Sequence, residues 1–262
     1  MEPRKLAAVA VLLFVFVAPL AYLGAAYHSY AGLVDPQKPK ASADYVVVYT
    51  LSAQFYVLTK EKYEGLISSG YLLPEGSKIF NVTLESFITG SPEVDLNLTL
   101  RSPYEYFTIV VGAPSVADCK DSPQLYVGDC RYRTITVSEV SGVVSNIFST
   151  NYYLRALQMG YDNKTAREYA SNQTWLRYRK RYLTFWTKID IGRGKIGNPE
   201  HLVVLLIGPA EGARENKIFA PRRGVLVIEG TTDETLRAEV ILIENLIGFK
   251  WPQGNTTQTI TG

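Results

Sequence analysis

Three short apolar runs set the frame for this chain. Residues 107–111, 201–207 and 225–228 are nearly continuous in Val, Ile, Leu and Phe, and each runs into a Gly-containing turn. A strand that is apolar on both faces has to be covered on both. That is the condition of a parallel sheet flanked by helices. Segments of helical character supply the cover. Residues 140–159 are apolar enough to pack. Residues 165–188 open with Thr165-X-X-Glu168, a capping box. Residues 231–247 open with Thr231-Thr232-Asp233-Glu234 and stop before Gly248, with Leu236, Val240, Ile243 and Ile247 at helical spacing.

The segment before the first apolar run reads differently. Residues 45–50 and 54–59 are β-branched and aromatic, and residues 79–84 and 94–100 alternate apolar with polar, as half-buried strands do. Residues 60–69 have helical character and end at Gly70. The expected fold class is therefore α/β, with a mixed, partly parallel sheet covered by helices. It occupies residues 45–252, strand-rich over 45–106 and α/β over 107–252.

The N-terminus gives an address. Residues 6–27 carry no charge and follow Arg4 and Lys5. As a helix they would cover roughly 33 Å, enough to cross a hydrocarbon core of about 30 Å. The basic residues before the span place the N-terminus in the cytoplasm and the remainder outside, as a single-pass membrane protein. A cleaved signal peptide is the competing reading, with Gly24-Ala25-Ala26 as the small residues for cleavage. Residues 28–44 read as a linker and residues 253–262, rich in Thr, as a flexible tail.

Two further features point to export. Asn-X-Ser/Thr sequons stand at Asn81, Asn97, Asn163, Asn172 and Asn255, an excess over chance for a chain with ten Asn. Asn81 and Asn97 fall in expected strands and are expected on the solvent face or at a strand end. Cys119 and Cys130, the only two Cys, lie eleven residues apart among acidic and turn residues. In an oxidising compartment they would close one loop, worth about 2–3 kcal/mol on the chain-entropy model. Low Met and Cys with eighteen Tyr lean towards a hot habitat.

Composition narrows the chemistry. The net charge is +2, with 47% hydrophobic and 20% charged residues, which fits a folded domain and argues against a general nucleic-acid binder. Two Cys and two His exclude zinc fingers and most His-based metal centres, so no metal or cofactor is expected. In an open α/β sheet, ligands bind beyond the carboxyl ends of the strands. The segments 112–118, 208–216 and 229–234 qualify, and they place Glu211, Arg214, Asn216 and Asp233 as candidate strand-end residues. Glu211 with Glu215, or Asp233 with Glu229, are conceivable acid/base pairs. The loop at 208–216 matches neither a Walker loop nor a dinucleotide fingerprint, and Gly-X-Ser-X-Gly is absent. His201, at a strand start, reads as a structural residue.

The stretch 175–186 is basic and aromatic. Read as part of a helix, it turns Leu176, Leu183 and Trp186 inward and leaves Arg177, Arg179, Lys180 and Arg181 outside, beside Trp175. Such a face suits an acidic glycan, a neighbouring protein or anionic lipid.

The last third resembles archaeal surface-layer proteins. The residues that carry the likeness are the run 202–207 with Gly208-Pro209, the later Asn216, and the strand 224–228 followed by Glu229-Gly230-Thr231-Thr232-Asp233 and a helix with Ala238. In that family a strand ends in Gly-Gly-Pro near an Asn, and a second ends in Gly-Lys-Asp before a helix. Here Ile-Gly-Pro and Glu-Gly-Thr-Thr-Asp stand at those places. Residues 107–113 resemble an earlier Val-Val-Gly-Ala strand of the same group. The resemblance implies a non-catalytic envelope protein and supplies no catalytic residue.

The sequence thus leads to a membrane-anchored, glycosylated extracellular protein with a structural or interaction role. Its expected partner is an envelope protein or glycan, or a second copy of itself. An anchored hydrolase acting on glycan or peptide, and an accessory subunit of a membrane complex or surface filament, are the alternatives.

Overall fold

The computed structural model describes residues 38–52, 54–112, 119, 128–183 and 185–248. The expected span at 6–27, Asn255 and the tail at 253–262 lie outside the described residues. Among the described residues no helix is long and apolar enough to cross a membrane.

The strands are β1 (Ala41–Tyr49), β2 (Phe55–Thr59), β3 (Lys78–Ser86), β4 (Tyr106–Gly112), β5 (Tyr178–Leu183), β6 (His201–Ile207), β7 (Lys217–Arg222) and β8 (Val225–Glu229). The helices are α1 (Lys60–Ser68), α2 (Pro92–Leu100), α3 (Cys130–Gln158), α4 (Asn163–Arg177), α5 (Phe185–Gly192) and α6 (Asp233–Ile247), with a short 3-10 turn at Pro209–Glu211. The strands form one eight-stranded sheet in the order β2-β1-β3-β7-β8-β6-β4-β5. Strands β8, β6, β4 and β5 are mutually parallel, and β2, β1 and β3 pair antiparallel. Strand β7 joins the two blocks, parallel to β3 and antiparallel to β8.

The three apolar runs are adjacent parallel strands, and their burial explains their composition. Leu202, Val204 and Leu206 of β6 face one core together with residues of β4, β8, α2, α3, α4 and α6. Val203, Leu205 and Ile207 face the other, with Ile191 of α5 and Ile196. Both sides of these strands are dry, so neither can alternate.

The last helix forms as its sequence directs. Thr232 caps it through Thr235 N–H, and Gly248 closes it in the left-handed region at φ 59°. Two other expectations are corrected. Residues 94–100 are helical, not extended. Pro92 sits in the first turn with Glu93 and Asp95, where acidic side chains suit the helix dipole. The every-other apolar pattern misleads because Leu98 stays exposed, while Asp95, Leu96, Thr99 and Leu100 turn inward. Asp95 is buried because its carboxylate organises the turn after β3. It accepts from Ser86 Oγ, Thr89 Oγ1 and the N–H groups of Phe87, Ile88 and Thr89, at 2.5–2.9 Å.

Residues 165–188 do not make one helix. Asp162, not Thr165, is the cap, accepting from Lys164 and Thr165 N–H. The helix stops at Arg177, where Tyr178 turns extended (φ −71°, ψ 133°) and the chain pairs along β4. Ladder hydrogen bonds to a neighbouring strand override the helical preference of a short basic segment. Helix α3 begins at Cys130, well before the expected 140, with Asp129 as its cap. The β-branched run through Thr134, Thr136 and Val137 masked that start. Strand β7 was not expected.

Candidate functional site

The carboxyl ends of β4, β6 and β8 converge on one arginine. Arg133, from the first turns of α3, donates through Nη2 to Glu211 Oε1 at 2.8 Å, and its Nη1 lies 3.9 Å from Asp233 Oδ1. The three side chains are 1%, 6% and 0% exposed. Glu211 also accepts from Gly208 N–H at 2.7 Å, and Asp233 from Asp129 N–H at 2.9 Å. Backbone must pass close to make this possible. A Cβ at Gly112 would fall 1.6 Å from Glu211 Oε1, and one at Gly208 would fall 2.7 Å from Arg133 Nη1. Among the described residues, Arg133 Nε and Nη1 have no hydrogen-bond partner.

The sequence placed Glu211 and Asp233 at strand ends, and the structure brings them together. It gives them a shared cation, which sequence reasoning missed: one Arg in a long helix carries no signal of burial. Buried carboxylates around a guanidinium tie loops together, and breaking such a pair costs more than forming it returns. The other expected residues separate. Asn216 Oδ1 accepts from the N–H and hydroxyl of Thr231 at 2.9 and 2.8 Å, joining the two strand-end loops. Arg214 is exposed, and its N–H donates to Glu229 Oε1.

Cys119 and Cys130 form a disulfide, with Cα atoms 5.1 Å apart. It fastens the segment after β4 to the first residue of α3, one turn from Arg133. In effect it clamps the buried ion cluster from outside.

Beside that cluster a cavity of about 340 Å³ lies between α3 and β5, lined by Arg133, Thr134, Val137, Ser138, Tyr178 and Lys180 among others. A second, of about 460 Å³, lies by β1, β3 and β7. Its charges include Lys60 with Asp44 at 3.7 Å and Lys217 with Glu215 at 2.8 Å. Glu211, Glu229 and Asp233 line neither, and Glu215 lines the second without Glu211, so neither expected acid/base pair faces one of these cavities together.

The basic stretch is mostly a strand. Arg179 and Arg181 point to one side of β5, and Tyr178 and Lys180 to the other. Tyr178 packs tilted against Phe107, 5.2 Å between ring centres. Arg181 pairs with Asp190 of α5 at 3.3 Å, and Arg179 donates to the carbonyls of Leu176 and Tyr178. Arg177 lies over the Tyr152 ring, 5.1 Å from its centre. Leu176 and Trp186, expected inside, are 53% and 72% exposed, and Trp175 is 78% exposed. The change of element explains this: once Tyr178 leaves the helix, the inward stripe ends.

His201 donates to or accepts from Thr108 Oγ1 at 2.7 Å. Burial, with Arg181 and Arg179 nearby, pushes its pKa below the ordinary value, so the ring is neutral at pH 7. Among the sequons, Asn81, Asn163 and Asn172 are exposed, and Asn97 is half-buried with its amide donating to Glu93 O. Asn81 lines the larger cavity. Among the described residues, no cluster of His, Cys, Asp or Glu is arranged to hold a metal ion.

No protein-family model matches the chain. Searches of curated proteins and of solved structures likewise find no match.

Proposed function

We propose that the protein is a membrane-anchored, glycosylated envelope domain whose role is to bind a neighbouring envelope component. One observation carries the interaction role: the β5 edge, where Arg179, Lys180 and Arg181 run between the exposed Trp175, Leu176 and Trp186. A basic and aromatic surface of this kind is what partners bury. The outside address is supported by the disulfide, by the exposure of three sequons and by the charge-free run at 6–27. The resemblance of residues 202–238 to archaeal surface-layer proteins agrees with it.

Native protein extracted in detergent tests the reading. Mass spectrometry is expected to find residues 6–27 retained, the disulfide closed and glycans on Asn81, Asn163 or Asn172. Crosslinking in cells is expected to capture an envelope partner. A cytosolic protein with free thiols, or a domain that captures nothing from the envelope, would overturn it.

A further inference from the structure

Strand β5 ends the sheet, paired with β4 from Phe107↔Tyr178 to Gly112↔Leu183. Among the described residues no strand lies on its outer side. Its backbone is a template for one more strand, which would displace the Arg179 and Thr187 side chains now donating to the Tyr178 and Tyr182 carbonyls.

The space beside that edge is shaped for the side chains such a strand would bring. The cavity between α3 and β5 follows α3 from Arg133 to Ser141. That is about 12 Å of helix, the length of three or four strand residues. Every second side chain of an added strand would face it. Val137 offers apolar contact there, and Ser138 and Ser141 offer hydroxyls. Two cations border it. The Lys180 side chain makes no hydrogen bond or ion pair among the described residues. Arg133, only 1% exposed and already flanked by Glu211 and Asp233, has no hydrogen-bond partner for Nε and Nη1 among the described residues.

We propose that β5 receives an extended, acidic segment of a partner protein by strand addition, with alternate carboxylates entering the cavity between α3 and β5. Main-chain hydrogen bonds would supply affinity and the cavity selectivity. Charge decides the occupant. A second copy paired edge to edge would set Arg179, Lys180 and Arg181 against the same cations, and opposed like charges destabilise a strand pair. An acidic segment meets them with opposite sign. The inference rests on the interaction role proposed above and names the chemistry of the partner.

The test is fluorescence anisotropy on the full chain in detergent micelles. The probe is a short labelled peptide alternating Glu with Val. One control carries Lys in place of Glu, and the other carries N-methyl groups on alternate amides. The Glu peptide is expected to bind, weakening with salt, and both controls to bind at least tenfold more weakly. Lys180→Glu is expected to lose about tenfold while its melting temperature stays unchanged. Bound peptide is expected to slow amide exchange along β5. Equal binding of the N-methylated peptide, or an undiminished Lys180→Glu affinity, overturns strand addition. So does binding of phosphatidylglycerol vesicles without binding of the peptide. Capture of envelope partners by Lys180→Glu at the wild-type level removes this site and leaves the interaction role standing. Failure of the wild-type chain to capture anything removes the role itself.

Discussion

Two buried carboxyl groups work against each other as the pH changes. Glu239 on α6 is fully buried, and neither of its oxygens has a hydrogen-bond partner among the described residues. Burial, and then the charge on Glu229, raises its pKa well above the ordinary 4.5. The group is neutral in both folded and unfolded chains at low pH, and as pH rises past the ordinary value the unfolded chain ionises it first. Its contribution to stability is therefore full below about pH 4.5 and falls as pH rises towards the folded value. Glu239→Gln is expected to remove that decline, read as denaturant midpoints between acid and neutral pH. Asp95 has the opposite sign. Burial would raise its pKa, but hydrogen bonds from Thr89, Ile88 and Ser86 outweigh burial and hold it below the ordinary 3.8. Its contribution is present above that value and is lost as pH falls through the folded one. Asp95→Ala is expected to cost roughly 3 kcal/mol in denaturant unfolding at pH 7, since it leaves buried donors unpaired. Arg133→Met would leave Glu211 and Asp233 buried without their cation. A loss of about 3–5 kcal/mol is expected in the same measurement, smaller for Arg133→Lys.

Those residues differ in how far the sequence disclosed them. Asp233 was legible because helix caps and strand ends have local signatures. Glu239 lay in plain view at helical spacing from Thr235, Leu236, Leu242 and Ile243, a position on the apolar stripe that composition alone hides. Arg133 could not be read, because its partners come from the turn after β6 and from α6, about eighty and a hundred residues later.

Elements were legible in proportion to how local their causes are. The doubly buried strands β4, β6 and β8 follow from composition, and α6 from its caps. Helix α2 and strand β5 are decided by long-range partners: the turn donors that hold Asp95, and the ladder to β4. The Cys pair needed only spacing and compartment. Its contribution can be measured as an element, because it joins the end of one crossover segment to α3. Replacing Cys119 and Cys130 by Ser is expected to cost about 2–3 kcal/mol by the chain-entropy estimate. The checking measurement is a lower thermal midpoint that no longer responds to reductant.

The whole sheet hangs on a strand with no distinguishing run of residues. Strand β7 bonds to β3 on one side and β8 on the other, and the larger core reaches from Tyr45 to Ile247 across both blocks. The two blocks are therefore expected to unfold together. Denaturation followed by tryptophan fluorescence and by far-UV circular dichroism should give coincident transitions. Two separate midpoints would show the blocks to be independent.

The position of β7 also governs when the molecule can be made. A ribosome delivers the chain from its N-terminus, yet the strands that fill the centre of the sheet, β7 and β8, are among the last described. Until residue 222 has emerged, β3 has no complete neighbour on its inner side, and until residue 229 has emerged, β6 lacks one of its two. The nascent chain thus cannot join the two blocks of its sheet until β7 and β8 have been made. If the chain is exported as proposed, the sheet can be completed only after the segment carrying β7 and β8 has crossed the membrane.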